Sequence, residues 1–184
     1  MRALILIVFL GGCFADMRFG ASGPVGSKSG GTGPDVEFGV GGEHRGKRIR
    51  AGGGLHLGAH LADGKEFAPL GVMGRVDVGL TTPNDRGGRL IATAQASMGI
   101  ARGFPGTDGN SLDGTYAQMF LGLGFGGTSC NEPQKVEGDH VALGVLATRC
   151  SPSNGDGYWL LGGALSFSFG LNLSKVSEAF SEKD

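Results

Sequence analysis

From residue 34 to residue 173 the chain alternates between two kinds of side chain with a period of two, and this restricts the fold more than any other feature. Side chains on a β-strand point to opposite faces in turn, so such a pattern is the signature of strands with two unlike faces. The last strand, expected over 157–173, sets Leu165, Phe167, Phe169, Leu171 and Leu173 against Ala164, Ser166, Ser168, Gly170 and Asn172. The same division predicts strands over 47–61, 69–81, 89–102 and 115–126, for example Leu55, Leu57 and Leu61 against Arg50, His56 and His60. Strands near 35–43 and 139–149 follow more weakly, and a short one over 15–20 would be the eighth.

The segments between these runs are short and rich in turn formers: His44-Arg45-Gly46, Ala62-Asp63-Gly64-Lys65, Pro83-Asn84-Asp85-Arg86-Gly87 and Ser153-Asn154-Gly155-Asp156. Longer connections span 103–114 and 128–138. None has the length or pattern of a crossover helix, so the strands are expected to pair antiparallel. A sheet of this size must close or pair to hide its edges. The expected fold is therefore all-β, a closed antiparallel barrel of about eight strands, with a sandwich as the other solution.

Which face meets the interior decides the class of protein. The second face is mostly glycine, alanine and serine with sparse charge, unlike the Lys, Glu and Thr that a soluble sheet shows to water. Glycine is 38 of 184 residues, about three times ordinary usage. Exposed on a strand it weakens the strand and packs nothing, but inside a narrow eight-stranded barrel small residues are required. Glu37, Arg50, Arg75, Asp77, Gln95 and Gln118 would then form a polar network in the lumen, since charges removed from water must be paired. That arrangement predicts a transmembrane barrel with its apolar face toward lipid. A single Trp and two Tyr make a thin aromatic girdle, and a polar tail follows the last strand. Both features suit instead a soluble barrel with the apolar face inside.

The N-terminal MRALILIVFLGGC gives the chain an address. Arg2 is a positive start, Ala3 to Leu10 an apolar core, and Leu10-Gly11-Gly12-Cys13 a small-residue cleavage site, the layout of a secretory signal peptide. The apolar run is half of what a membrane-spanning helix needs. The LGGC ending resembles the lipobox of bacterial lipoproteins, and the strand pattern resembles small outer-membrane β-barrel proteins. The lipobox resemblance implies that Cys13 becomes the acylated first residue of the mature protein. With Phe14 rather than aspartate after it, the family's sorting rule implies the outer membrane. The organisation expected is a signal peptide over 1–12, a lipidated N-terminus and Gly/Ser-rich tether over 13–33, a barrel over 34–173 and a polar tail over 174–184. Removing residues 1–12 from 184 leaves 172, enough for one domain with a core.

The net charge of -1 argues against a nucleic-acid partner. Cys130 and Cys150 are most simply a disulfide in an exported protein. A strand over 139–149 between them would hold its ends roughly 30 Å apart, so residues 131–138 would have to fold back along it. His56 and His60 share a face about 13 Å apart, too far for one metal ion. They read as paired lumen or surface histidines, and His140 beside Asp139 as part of a turn. Gly122 to Gly127 meets a GxGxxG spacing without the helix that the phosphate-binding mechanism needs. Gly23 to Ser29 lacks phosphate-loop spacing as well. Asp108 and Asp113 are read as a hydrated turn rather than a calcium loop, and Val176 and Phe180 mark one face of a short helix.

No metal, cofactor or catalytic residue is expected. The role read from the chain is structural or envelope-interacting: a lipid-anchored barrel of the outer membrane, in contact with its lipid, with 103–114 and 128–138 as the surface for an envelope protein. The alternatives are a periplasmic lipocalin-like lipoprotein with an apolar ligand inside, and a membrane-edge lipid hydrolase.

Overall fold

Eight antiparallel strands close on one another in sequence order, each paired with its chain neighbour and β8 paired with β1. They are β1 (Gly12–Pro24), β2 (Gly33–Arg45), β3 (Ile49–His60), β4 (Phe67–Gly79), β5 (Arg89–Gly103), β6 (Gly114–Gly126), β7 (His140–Pro152) and β8 (Tyr158–Leu171). This computed structural model describes residues 12–26, 31–46, 48–61, 66–81, 88–103, 113–126, 139–153 and 155–171. The antiparallel closed barrel expected from the alternation is the fold observed.

The register fixes the shape. Following paired residues once around carries Cys13 through Gly42, Gly53, Gly74, Ala96, Met119, Ala147 and Leu161, and returns to β1 at Gly23. The return is ten residues further on, so eight strands carry a shear of ten. That combination tilts the strands by roughly 45° and sets a radius of about 8 Å. Curvature this strong crowds the inner surface, and glycine answers it. Gly71 and Gly99 face each other across β4 and β5, and Gly122 and Gly144 across β6 and β7. A Cβ at Gly71 would stand 2.0 Å from the Met98 carbonyl oxygen, and one at Gly144 2.2 Å from that of Leu121.

The apolar face points outward. Leu55, Leu57, Val72, Met98, Leu121, Leu123, Leu143 and Val145 are all more than half exposed. Among the described residues the interior holds five buried carboxylates (Asp16, Asp35, Glu37, Glu43 and Asp77) and four buried arginines (Arg18, Arg50, Arg75 and Arg89). This polarity runs against the lipocalin-like alternative, which needs the apolar face of the strands to point inward.

The N-terminal boundaries differ from those expected. The barrel begins at Gly12 rather than at 34, and the strand expected over 15–20 runs from Gly12 to Pro24. The tether expected over 13–33 is therefore mostly strand, leaving only the link between Pro24 and Gly33, of which 27–30 lie outside the described residues. The small residues that suggest a linker are barrel packing. Gly20 lies against Ala164, where a Cβ would sit 2.6 Å from the Gly163 carbonyl oxygen. Of the signal peptide expected over 1–12, residues 1–11 lie outside the described residues and Gly12 opens β1; the tail expected over 174–184 also lies outside them.

Because the barrel is up-and-down, its connections alternate between two ends. The end at which β1 begins and β8 finishes (the terminus end) also carries the β2–β3, β4–β5 and β6–β7 connections. The distal end carries the other four. The connections expected to form one contact surface, 103–114 and 128–138, thus leave opposite ends of the barrel.

Candidate functional site

The chemistry-bearing side chains converge on the interior in two layers. The layer nearer the terminus end is built around Asp77 of β4. Its carboxylate accepts from Arg50 Nε at 2.7 Å and from Arg75 Nε at 2.8 Å, with Arg50 Nη2 also at 2.7 Å. Arg50 and Asp77 are register partners on β3 and β4, so the closest pair follows from strand pairing. Arg50 also reaches Glu43 at 3.3 Å, and Glu43 holds Arg45 at 2.7 Å. Ser168 Oγ accepts from both Arg50 and Arg75, at 3.2 and 2.5 Å. The His140 ring meets Arg50 Nη2 at 3.0 Å, Arg75 Nη2 at 2.8 Å and the Thr93 hydroxyl at 3.1 Å. Asp16 closes the layer, taking hydrogen bonds from Gln95 and, at 2.9 Å, from Ser166.

The second layer, toward the distal end, is centred on Glu37. It pairs with Arg18, its register partner on β1, at 2.8 Å, and accepts from Gln118 Nε2 at 2.5 Å. Gln118 also donates to Thr148 at 3.0 Å and accepts from Ser97 at 3.2 Å. His56 joins Glu37 at 3.6 Å and the Tyr116 hydroxyl at 2.7 Å. Phe120, Ala142, Leu146 and Ala164, on β6 to β8, form a buried apolar cluster in the lumen, with the Arg18 guanidinium 4.9 Å from the Phe120 ring centroid. At the distal end Phe67, Ala101, Tyr116, Cys150 and Leu160 form a second apolar plug.

All six residues expected in a lumen network face the interior. Glu37 and Gln118 meet in the distal layer, and Arg50, Arg75 and Asp77 in the other, which Gln95 joins through Asp16. Sequence reasoning missed Asp16, Arg18, Asp35 and Glu43. The signal for the first two was present: Phe14, Asp16 and Arg18 alternate with Cys13, Ala15, Met17 and Phe19, and both lie in the short strand expected over 15–20, whose inward members were not assigned to the network. His140, read as part of a turn, is a central member of the first layer, whereas its neighbour Asp139 is exposed and accepts from the Gly170 amide at 3.3 Å. His56 and His60 both face the lumen, each with its own partner.

Ser22, His60 and Asp35 come together near the distal end, which invites a hydrolytic reading. Asp35 Oδ1 lies 2.5 Å from His60 Nδ1, and the Ser22 hydroxyl approaches that same nitrogen at 3.5 Å. A proton relay needs serine and carboxylate on opposite ring nitrogens, so this is a buried polar cluster without relay geometry. Among the described residues no group of three metal-binding side chains converges.

Cys13 lies on the outward face of β1, opposite Gly42 and Leu171. Cys150 is buried in β7 beside the distal plug, while Cys130 lies outside the described residues, as do Asp108, Val176 and Phe180. Asp113 is exposed just before β6. Gly122 to Gly126 are strand β6, where the glycines serve packing.

Among solved structures, the chain is similar to Neisserial surface protein A, with a TM-score of 0.57 at 10% identity over 86% of this chain and 97% of that one. It also aligns with the N-terminal β-barrel domain of Pseudomonas aeruginosa OprF, with a TM-score of 0.41 at 12% identity over 85% and 97%. No family model matches the chain, nor does any curated protein. The likeness is one of fold: this chain has the architecture of a small outer-membrane β-barrel.

Proposed function

We propose that this chain is a lipid-anchored, transmembrane β-barrel of the outer membrane with a structural, non-enzymatic role in the envelope. The observation that carries the reading is its inverted polarity. Ions are sealed inside, and a continuous belt of leucine, valine, methionine and phenylalanine covers the outside. Water-soluble monomers rarely expose apolar patches beyond a few hundred Å², whereas lipid-facing strands require such a belt. Strands of 12 to 15 residues tilted by roughly 45° cover the ~25 Å height of that belt.

The lipid anchor rests on the LGGC motif, and the position of Cys13 supports it. Cleavage before Cys13 leaves that residue as the first of β1, with its side chain already on the lipid-facing surface. Acyl chains there enter the same leaflet that the terminus end occupies, and no tether is needed. In this orientation the β6–β7 connection, with residues 128–138, faces the periplasm and the β5–β6 connection, with 103–114, faces outward. One envelope partner can engage only one of them.

The test is the location of a chain without its lipid. Cys13→Ser is placed behind an ordinary cleavable signal peptide and the cells are fractionated. The barrel is expected to remain in the outer membrane and to resist carbonate extraction. A folded, soluble periplasmic product would overturn the transmembrane reading.

A further inference from the structure

The outward surface differs on the two sides of Cys13. Toward β8 stand Phe169, which is exposed, and Phe167, which packs edge-on against Phe19 with ring centroids 6.2 Å apart. Toward β2 the register row that starts at Cys13 continues through Gly42, Gly53, Gly74 and Ala96 on successive strands. None of these carries more than a methyl group; Gly42 is buried and the other three are exposed. The next outward row toward the distal end, Val40, Leu55, Val72 and Met98, is more than half exposed on every strand and forms a wall. On the terminus side the row His44, Ala51, Val76 and Ala94 alternates large with small. The result is a shelf that runs obliquely from Cys13 across the apolar face. Barrel curvature does not demand it, because a Cβ at Gly74 would meet nothing within 4 Å. Beyond Gly74 the shelf opens into an apolar cleft of about 480 Å³, where Ala92 and Ala94 lie between Val76 and Val78 of β4 and Leu121 and Leu123 of β6.

Four inter-strand spacings of about 4.8 Å make the run from Cys13 to Ala96 roughly 19 Å long. The shear carries the row toward the distal end, and a strand tilt of roughly 45° turns that length into a climb of about 13 Å. Half of the hydrocarbon core is about 15 Å deep, so the shelf spans one leaflet, as an acyl chain of that leaflet does. We propose that one acyl chain carried by Cys13 lies along this shelf, with its end at the cleft, as a fixed part of the barrel surface. Lipid tails are as apolar as leucine, so the chain gains from close van der Waals packing, which small residues permit. Its covalent link holds it at the head of the shelf while free lipid tails exchange. The proposal rests on the lipid-anchored reading above and says where that anchor goes.

The full chain is produced in bacteria fed a palmitate analogue with a diazirine near its end, irradiated in the membrane and digested. Mass spectrometry then separates peptides joined to the acylated Cys13 peptide from peptides that carry a free phospholipid. Joins from Cys13 are expected on β4 and β5, around Gly74 and Ala96, and not on β7 or β8. In G74L/A96L, which fills the shelf, these joins are expected to be lost. Gly163→Leu, at an exposed glycine of β8 with no Cβ contact closer than 3.8 Å, is expected to keep them. In Cys13→Ser, placed behind an ordinary cleavable signal peptide, free phospholipid is expected to label Gly74 and Ala96 instead. The heat-dependent gel mobility of a closed barrel confirms that each variant folds. Joins spread evenly around the barrel, joins unchanged in G74L/A96L, an equal loss in G163L, or free phospholipid on the shelf as often in the acylated chain as in Cys13→Ser overturns the seat. An acylated chain that fails in any of these ways keeps its anchor and loses only the seat. A Cys13 peptide without an acyl chain overturns the anchor reading itself, and the seat with it.

Discussion

Replacing Asp77 with alanine tests whether the interior ions hold the barrel together. The carboxylate is fully buried and serves two guanidinium groups, Arg50 at 2.7 Å and Arg75 at 2.8 Å. Removing it leaves both cations in a space that water does not reach. Breaking a buried pair typically costs about 3–5 kcal/mol, because the surviving charge is uncompensated. Here Arg50 retains Glu43 at 3.3 Å, and Arg75 retains Asp16 only at 3.9 Å. Partial compensation for one of the two places the expected loss near the lower bound, about 3 kcal/mol, or roughly 150-fold in the folding equilibrium. Asp77→Asn keeps acceptor capacity without the charge and should fall between the two. The assay is reversible urea unfolding of the full chain in micelles, followed by tryptophan fluorescence and by gel mobility. If Asp77→Ala unfolds within about 0.5 kcal/mol of the parent, as surface substitutions do, the network is incidental and the reasoning fails.

Three further substitutions separate the faces. Gly144→Val puts a branched side chain where a Cβ already meets the Leu121 carbonyl oxygen at 2.2 Å, and should block barrel closure, whereas Gly74→Ala, with nothing within 4 Å of its Cβ, should fold normally. Equal yields of heat-modifiable barrel from both would remove the curvature argument for the interior glycines. Leu121→Arg, midway along β6 on the outward face, should lose about 2–4 kcal/mol of stability in a bilayer. A Leu121→Arg barrel as stable as the parent in vesicles would mean that this face does not meet lipid.

The barrel was legible in the sequence because a period of two over six or seven strands has few other physical meanings. The inward set was legible from the same pattern: Arg50, Arg75 and Asp77 sit on the small-residue face, and a charge on that face has only other charges to meet. What alternation does not reveal is which charges meet. The Arg50–Asp77 and Arg18–Glu37 pairs depend on register, which is set by turn lengths and by shear around the whole barrel. The first strand was obscured for a different reason. Its second half, Gly20-Ala21-Ser22-Gly23-Pro24, has the composition of a linker, and only the crowded approach of β8 shows why small residues are required there. His140 was misassigned because a histidine next to a turn looks peripheral, although the strand tilt carries it under Arg50 and Arg75.

The interior also answers a question that the outward face raises. In a bilayer the outward leucines gain nothing by meeting one another rather than lipid, so the hydrophobic effect does not draw this barrel together as it does a soluble core. Backbone pairing around the closed sheet supplies one source of cohesion. The side-chain bonds supply another, because they join strands that are not neighbours. Asp16 of β1 reaches Gln95 of β5, Glu37 of β2 reaches Gln118 of β6, and Arg50 of β3 reaches Ser168 of β8. Each spans the lumen and opposes flattening of the barrel in its own direction. A slip of one residue in any strand would turn its polar members outward and its apolar members onto the ions. Buried charges are costly wherever they are not paired, so the network penalises every register but one.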